Sequence, residues 1–161
     1  IAQKIICDCP RNVDLLIERS VPNKYVPERS PLILVKFAKP RLQKIFTCRD
    51  VKVRFFHNDA PGLVCAPHLA EIGINLFNFS SDHGLAQMKK LVGDKVTLLG
   101  NIPPRDVLAA GTPAEVAQAV ETMLTDLEDR SRIIASCGGG MPPDVSTENI
   151  NAFIAAVEKY R

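Results

Sequence analysis

The regular alternation that begins at Val51 constrains this chain more than any other feature. Strand-length runs at Val51–Phe56 (VKVRFF), Ile74–Phe79 (INLFNF), Val96–Leu99 (VTLL) and Arg132–Cys137 (RIIASC) are each separated from the next by a helical segment. Parallel strands need long crossovers between them, so this order predicts a parallel sheet with right-handed βα connections. The helices carry their own signals. Leu63–Ile72 places Leu69 and Ile72 three apart and stops at Gly73; Leu85, Met88 and Leu91 form a short helix stopping at Gly93. Thr112-Pro113-Ala114-Glu115 is a capping box with proline at the first helical position, followed by Val116, Val120, Met123, Leu124 and Leu127. Ser146 or Thr147 starts the last helix, with Ile150, Phe153, Ile154 and Val157 on one stripe.

Four βα units make half of an eight-stranded barrel, and a lone half leaves two sheet edges that native proteins avoid. The expected fold is therefore α/β, of the (β/α)8 TIM-barrel type, with further strands elsewhere; a small doubly wound sheet is the alternative. In either case the carboxyl ends of the strands form the working face. At 161 residues the chain has the length of one domain, 1–161, with four βα units in 51–161 and a poorly defined stretch in 1–50. In that stretch Asn12 caps a short helical pattern, Pro22 and Pro27 bracket a polar segment, and Ser30-Pro31 opens a second helix carrying Leu34, Phe37, Ala38, Leu42, Ile45 and Phe46. Pro40 is expected to kink or interrupt it.

Charge excludes one class of partner. Twenty basic and 18 acidic residues leave a net charge of +2 without a polybasic run, so nucleic acid has no electrostatic footprint. No apolar run approaches the roughly 18 residues of a membrane helix, and neither end resembles a signal peptide, so the expected location is the cytoplasm. Five cysteines, Cys7, Cys9, Cys48, Cys65 and Cys137, lack the paired spacing of a zinc finger and are expected as free thiols; the Cys7-x-Cys9 pair could hold a metal but has no second pair to complete a site. Ile1 in place of methionine predicts that the chain is part of something longer.

Polar groups collect where the strands end. His57, Asn58 and Asp59 follow the first run, Ser80, Ser81, Asp82 and His83 the second, Asn101 the third, and Cys137 and Gly138–Gly140 the fourth. In an extended segment His57 and Asp59 point to the same side, as acid and base or as metal ligands; alternatively His57 bonds nearby backbone and Asp59 caps a helix. Three successive glycines let a backbone approach a phosphate or carboxylate closely, or supply a turn needing positive φ. Cys137 reads as a thiolate, a metal ligand or a buried residue closing a strand. In KVTLLGNIPP (95–104) the strand is expected to break at Gly100 into a polar turn that points Asn101 at the ligand. His68 and His83 are expected on helical segments. Arg54 and Arg105 point either to the mouth or to solvent.

FHND (56–59), HLAEIGINLFNFS (68–80), LVGDKVTLLGNIPP (91–104), GTPAEV (111–116) and GGGMPPDVSTENI (138–150) together resemble the carboxyl-terminal half of the uroporphyrinogen decarboxylase family. The resemblance implies a (β/α)8 barrel and an enzyme, a carboxy-lyase acting without a cofactor on a tetrapyrrole or related carboxylated acid. Under it Asp59 and His57 are the catalytic residues, and Ser80, Asn101, Gly138, Gly139 and Gly140 contact substrate. The family also includes zinc-dependent methyltransferases acting with corrinoid proteins and thiols such as coenzyme M. That alternative implies a shifted zinc set of His57, Asp59 and Cys137. A non-catalytic barrel that binds a tetrapyrrole or corrinoid is the third reading, because the loop position matching Gly139 carries neither the decarboxylases' histidine nor the methyltransferases' cysteine. The expected partners are the small acid, a corrinoid protein under the second reading, and a second copy of the chain as a homodimer.

Overall fold

A computed structural model of the chain describes Lys36, residues 38–58 and residues 62–160. The patterns at Asn12 and Ser30-Pro31, the Cys7 and Cys9 pair, and Asp59 lie outside the described residues.

Four strands, β1 (Phe55–Asn58), β2 (Leu76–Phe79), β3 (Thr97–Ile102) and β4 (Ile133–Cys137), form one parallel sheet in chain order. Neighbours in sequence are neighbours in the sheet, as in a barrel wall rather than a doubly wound sheet, where the order reverses at a switch point. Among the described residues the α-helices are α1 (Lys39–Thr47), α2 (Leu69–Ile72), α3 (Leu85–Val92), α4 (Pro113–Thr125) and α5 (Thr147–Lys159). A 3₁₀ turn (Ala66–His68) leads into α2, and a π-helical segment (Pro104–Ala109) follows β3.

Register and burial separate the two faces of the sheet. Phe56 pairs with Phe77, and Leu98 lies in register beside Phe77; all three are buried. The alternate row, Phe55, Leu76, Thr97 and Leu99, is only half-buried, and Ile134 beside Leu99 is 47% exposed. Helices thus cover one face and leave the other open. On the covered side Phe46 meets Phe56 edge to face, and Phe56, Phe77 and Phe79 stack at 5.7 and 5.5 Å between centroids. Aromatic pairs of this kind contribute about 0.5–1.5 kcal/mol each beyond the area they bury.

Local chemistry explains most boundaries. Gly73 closes α2 at φ 96°, a left-handed position that glycine takes without a Cβ clash. Thr112 and Glu115 make the reciprocal capping box at the start of α4, and the Ser146 hydroxyl caps α5 by accepting from Asn149 N–H.

Pro40 interrupts rather than kinks: Lys36 and Ala38 are π-helical and the α-helix α1 starts only at Lys39, so the proline falls in its first turn, where its missing N–H removes no α-helical bond. One expectation changes. The strand at 95–104 does not break at Gly100. It runs on through a cis Gly100–Asn101 peptide to Ile102, pairing Asn101 with Ser136 and Ile102 with Cys137. Ile102, 2% exposed, resumes the apolar alternation after Leu98 and Gly100, so burial continues past the residue that reads as a breaker.

Candidate functional site

The open end of the sheet is organised by a residue that is neither charged nor in a loop. Asn78 sits third in β2 among phenylalanines and is 2% exposed. Its Nδ2 donates to Leu99 O at 2.7 Å and Cys137 O at 3.1 Å. Its Oδ1 accepts from Gly139 N–H at 3.1 Å and lies 2.6 Å from His57 Nδ1. One amide therefore ties together β1, β3, the end of β4 and the glycine loop. An asparagine inside an aromatic strand was the available sign, because a buried amide is costly unless its bonds are made.

Beside it, Gly138 is packed where no other residue fits. A Cβ there would stand 2.5 Å from Asn101 Oδ1, 2.8 Å from Ser81 N and 3.0 Å from Ser81 Cβ. The ends of β2, β3 and β4 thus meet at one point. Asn101, 8% exposed, donates through Nδ2 to His83 O, and its backbone N–H points to Met123 Sδ at 3.0 Å. Among the described residues, Asn101 Oδ1 and His83 Nε2 are buried and make no hydrogen bond. Both residues also border a cavity of about 470 Å³ between the Ser81–Ala86 turn and α4, with Gln118, Thr122 and Met123 on its far wall.

The glycine loop differs from the expectation of three amides open to an anion. Gly138 N–H donates to Ile102 O at 2.9 Å and Gly139 N–H to Asn78, so both are engaged inside the protein. Gly139 adopts φ 97°, the positive-φ turn that was the alternative reading. Gly140 remains, in open space with nothing within 4 Å of a Cβ built on it.

The other sequence-derived residues are scattered. Ser80 Oγ accepts from Asp82 N–H at 3.2 Å, a local turn bond. Cys137 is one register position past Ser136, so its side chain falls on the helix-covered face, packed with Leu108 and Val116, while its thiol donates to Gly139 O at 3.3 Å. Burial pushes that thiol's pKa up. His57 shares the opposite face with Asn78, so the register separates the two members of the shifted zinc set that are described. His68 stands 3.9 Å from Glu71 in a surface charge cluster with Lys39. His83 lies in the bend before α3 rather than on a helix, and Arg105 is exposed in the π-helical segment. Arg54 precedes β1 and its Nε is buried without a hydrogen bond among the described residues.

A four-stranded parallel βα sheet with its polar convergence at the strand ends defines a segment of a (β/α)8-type barrel. Comparison with known sequences gives the family: the profile described as "Uroporphyrinogen decarboxylase (URO-D)" matches residues 30–160, and the chain belongs to that family. Uroporphyrinogen decarboxylase from Homo sapiens is 30% identical over 142 residues, covering 81% of this chain and 37% of that protein. The enzyme of the same name from Pseudoalteromonas translucida is 34% identical over 92 residues, covering 57% and 25% respectively. The solved structure of a methyltransferase from Methanosarcina mazei superposes with a TM-score of 0.70 at 22% identity, over 81% of this chain and 38% of that one. At that identity the likeness is one of fold. The chain therefore spans between about a quarter and two fifths of these relatives.

Proposed function

We propose that this chain carries part of the active-site mouth of a carboxy-lyase acting on a tetrapyrrole or related carboxylated acid, with His57 as its proton-handling group. The single observation behind this reading is the His57 ring, held by Asn78 at the carboxyl end of β1 in a chain whose curated relatives are decarboxylases. Loss of CO2 from a carboxymethyl arm breaks the C–C bond and leaves the electron pair on carbon. The reaction therefore needs an electron sink and then a proton. An electron-poor, protonated pyrrole supplies the sink, which makes a cofactor unnecessary; an imidazole supplies and recovers protons near neutral pH. Asp59, outside the described residues, is assigned to stabilising the developing cation, and Gly140 N–H to meeting a substrate carboxylate.

Zinc-dependent methyl transfer is the second reading, favoured by one feature: a histidine whose Nδ1–H is held by a neighbouring oxygen is the usual preparation of a metal ligand. The residues fit it poorly. Cys137 is on the other face of the sheet from His57, which argues against a zinc set of His57, Asp59 and Cys137.

Incubating the full-length protein with uroporphyrinogen under anaerobic conditions, with parallel metal analysis, separates the readings. Release of CO2 with products carrying fewer carboxylates supports the carboxy-lyase. Stoichiometric zinc that disappears in His57→Ala overturns it in favour of methyl transfer. Tetrapyrrole binding without turnover in either assay overturns both in favour of a binding barrel.

A further inference from the structure

We propose that Asn78 is the positioning residue of this mouth: its side-chain amide fixes His57 as the Nδ1–H tautomer and locks the ring to the Gly138–Gly140 loop. The consequence for catalysis rests on His57 being the reactive group, while the tautomer stands independently of it.

The tautomer follows from matching donors to acceptors around the Asn78 amide. An asparagine amide has two N–H donors and an oxygen with two lone pairs. Both donors of Asn78 face carbonyl oxygens, Leu99 O and Cys137 O, which can only accept. One acceptor site faces Gly139 N–H, which can only donate. Turning the amide over would set an oxygen against two carbonyls and an NH2 against an N–H, losing three bonds in a buried site. Its orientation is therefore fixed by the backbone, independently of the histidine. The remaining contact, His57 Nδ1 at 2.6 Å, then meets a lone pair, so Nδ1 carries the proton. In the neutral ring the basic lone pair lies on Nε2, the nitrogen turned away from Asn78.

All four hydrogen-bonding sites of a 2%-exposed amide are used, and they reach three other strands and the loop. A core filler needs none of this: leucine has the same heavy-atom branching, and on this face it would sit beside Leu99 without a desolvation cost. The amide gives what leucine cannot, one oxygen shared by the imidazole and the glycine loop, so the ring and the loop that would meet substrate move as a unit. Such a group acts through His57 and touches no reacting atom.

Nitrogen NMR of the full chain labelled with ¹⁵N-histidine tests this, with His57 assigned by the signal missing in His57→Gln. In alkaline buffer a pyrrole-type shift is expected at Nδ1 and a pyridine-type shift at Nε2. The reverse pattern, or two averaged shifts, overturns it whatever the catalytic result. In Asn78→Leu the fixed pattern should collapse to averaged shifts, and in Asn78→Asp, which keeps an acceptor for the ring, it should persist. A folded Asn78→Leu protein with an unchanged pattern also overturns the proposal; where that variant does not fold, the wild-type shifts decide. Absence of decarboxylation with the Nδ1–H pattern intact would contradict the proposed function and leave the assignment of Asn78 standing.

Discussion

Gly138 lies against Asn101 so closely that a single methyl group would come within 2.5 Å of the amide oxygen. The obstruction includes the Ser81 backbone nitrogen at 2.8 Å, which cannot rotate away like the end of a flexible side chain. Gly138→Ala should therefore cost about 1–3 kcal/mol through forced displacement of the strand ends. Gly140→Ala, in open space, should stay within about 0.5 kcal/mol of wild type. Urea midpoints of the two variants check this; equal midpoints would show that the strand ends do not meet as described.

Asn149 anchors α5 by donating through Nδ2 to Leu108 O at 2.9 Å and Gly111 O at 2.8 Å, at and just past the carboxyl-terminal end of the π-helical segment. Asn149→Ala leaves both carbonyls without this donor, at about 1–3 kcal/mol for a buried group left unsatisfied. The denaturation midpoint should fall with an unchanged m-value. A loss below about 0.5 kcal/mol would mean the carbonyls find other donors.

Three described cysteines should differ sharply in reactivity. Burial drives the Cys65 thiol from its ordinary 9.0 up to about 11, and the Cys137 thiol upward as well, whereas Cys48 is exposed. Brief alkylation at pH 8 followed by mass mapping should label Cys48 and spare the other two until the protein is unfolded. The folded state holds the Cys65 proton more tightly, so its contribution to stability is complete below pH 9 and is lost as pH rises toward 11. Rapid native labelling of Cys65, which is partly buried, would contradict its raised pKa.

At the acid end the sign reverses. Ser131, through its backbone N–H and hydroxyl, holds the Asp129 carboxyl down to about 2, with Lys89 adding to the effect at 3.1 Å. Its contribution is present above pH 3.8 and is lost as pH falls toward 2. Asp129→Asn should flatten that part of the stability profile without abolishing it, because Glu71 and Glu115 are lowered in the same direction. An unchanged acid limb in a pH series of melting temperatures would contradict the assignment.

The parts of the fold legible in the sequence are those set by local chemistry. The order of strands, the Thr112 capping box and the Gly73 and Gly93 stops depend on residues close in the chain, and the structure has them all. Gly100 misled because a strand carried across a glycine by its partner strand looks locally like a break. Pro40 was legible as a break but not as which kind, because proline reads alike at a kink and in the first turn where α1 starts. The site was legible as a list of strand ends but not as a network. His57 and Gly139 are both visible in the sequence, yet the residue that joins them, Asn78, is 21 positions from one and 61 from the other. Cys137 could be read as a thiolate, a metal ligand or a buried residue closing a strand, and its burial at the end of β4 on the far face matches the last of these.

The central claim is that His57, held by Asn78 at the strand ends, handles the proton in a carboxy-lyase reaction. The most direct measurement compares full-length wild type with His57→Gln for release of CO2 from uroporphyrinogen, after both are shown to fold and bind the substrate alike. Removing a positioned acid–base group should lower kcat by about 10²–10⁴-fold while leaving binding nearly unchanged. Decarboxylation by His57→Gln at the wild-type rate would contradict the account.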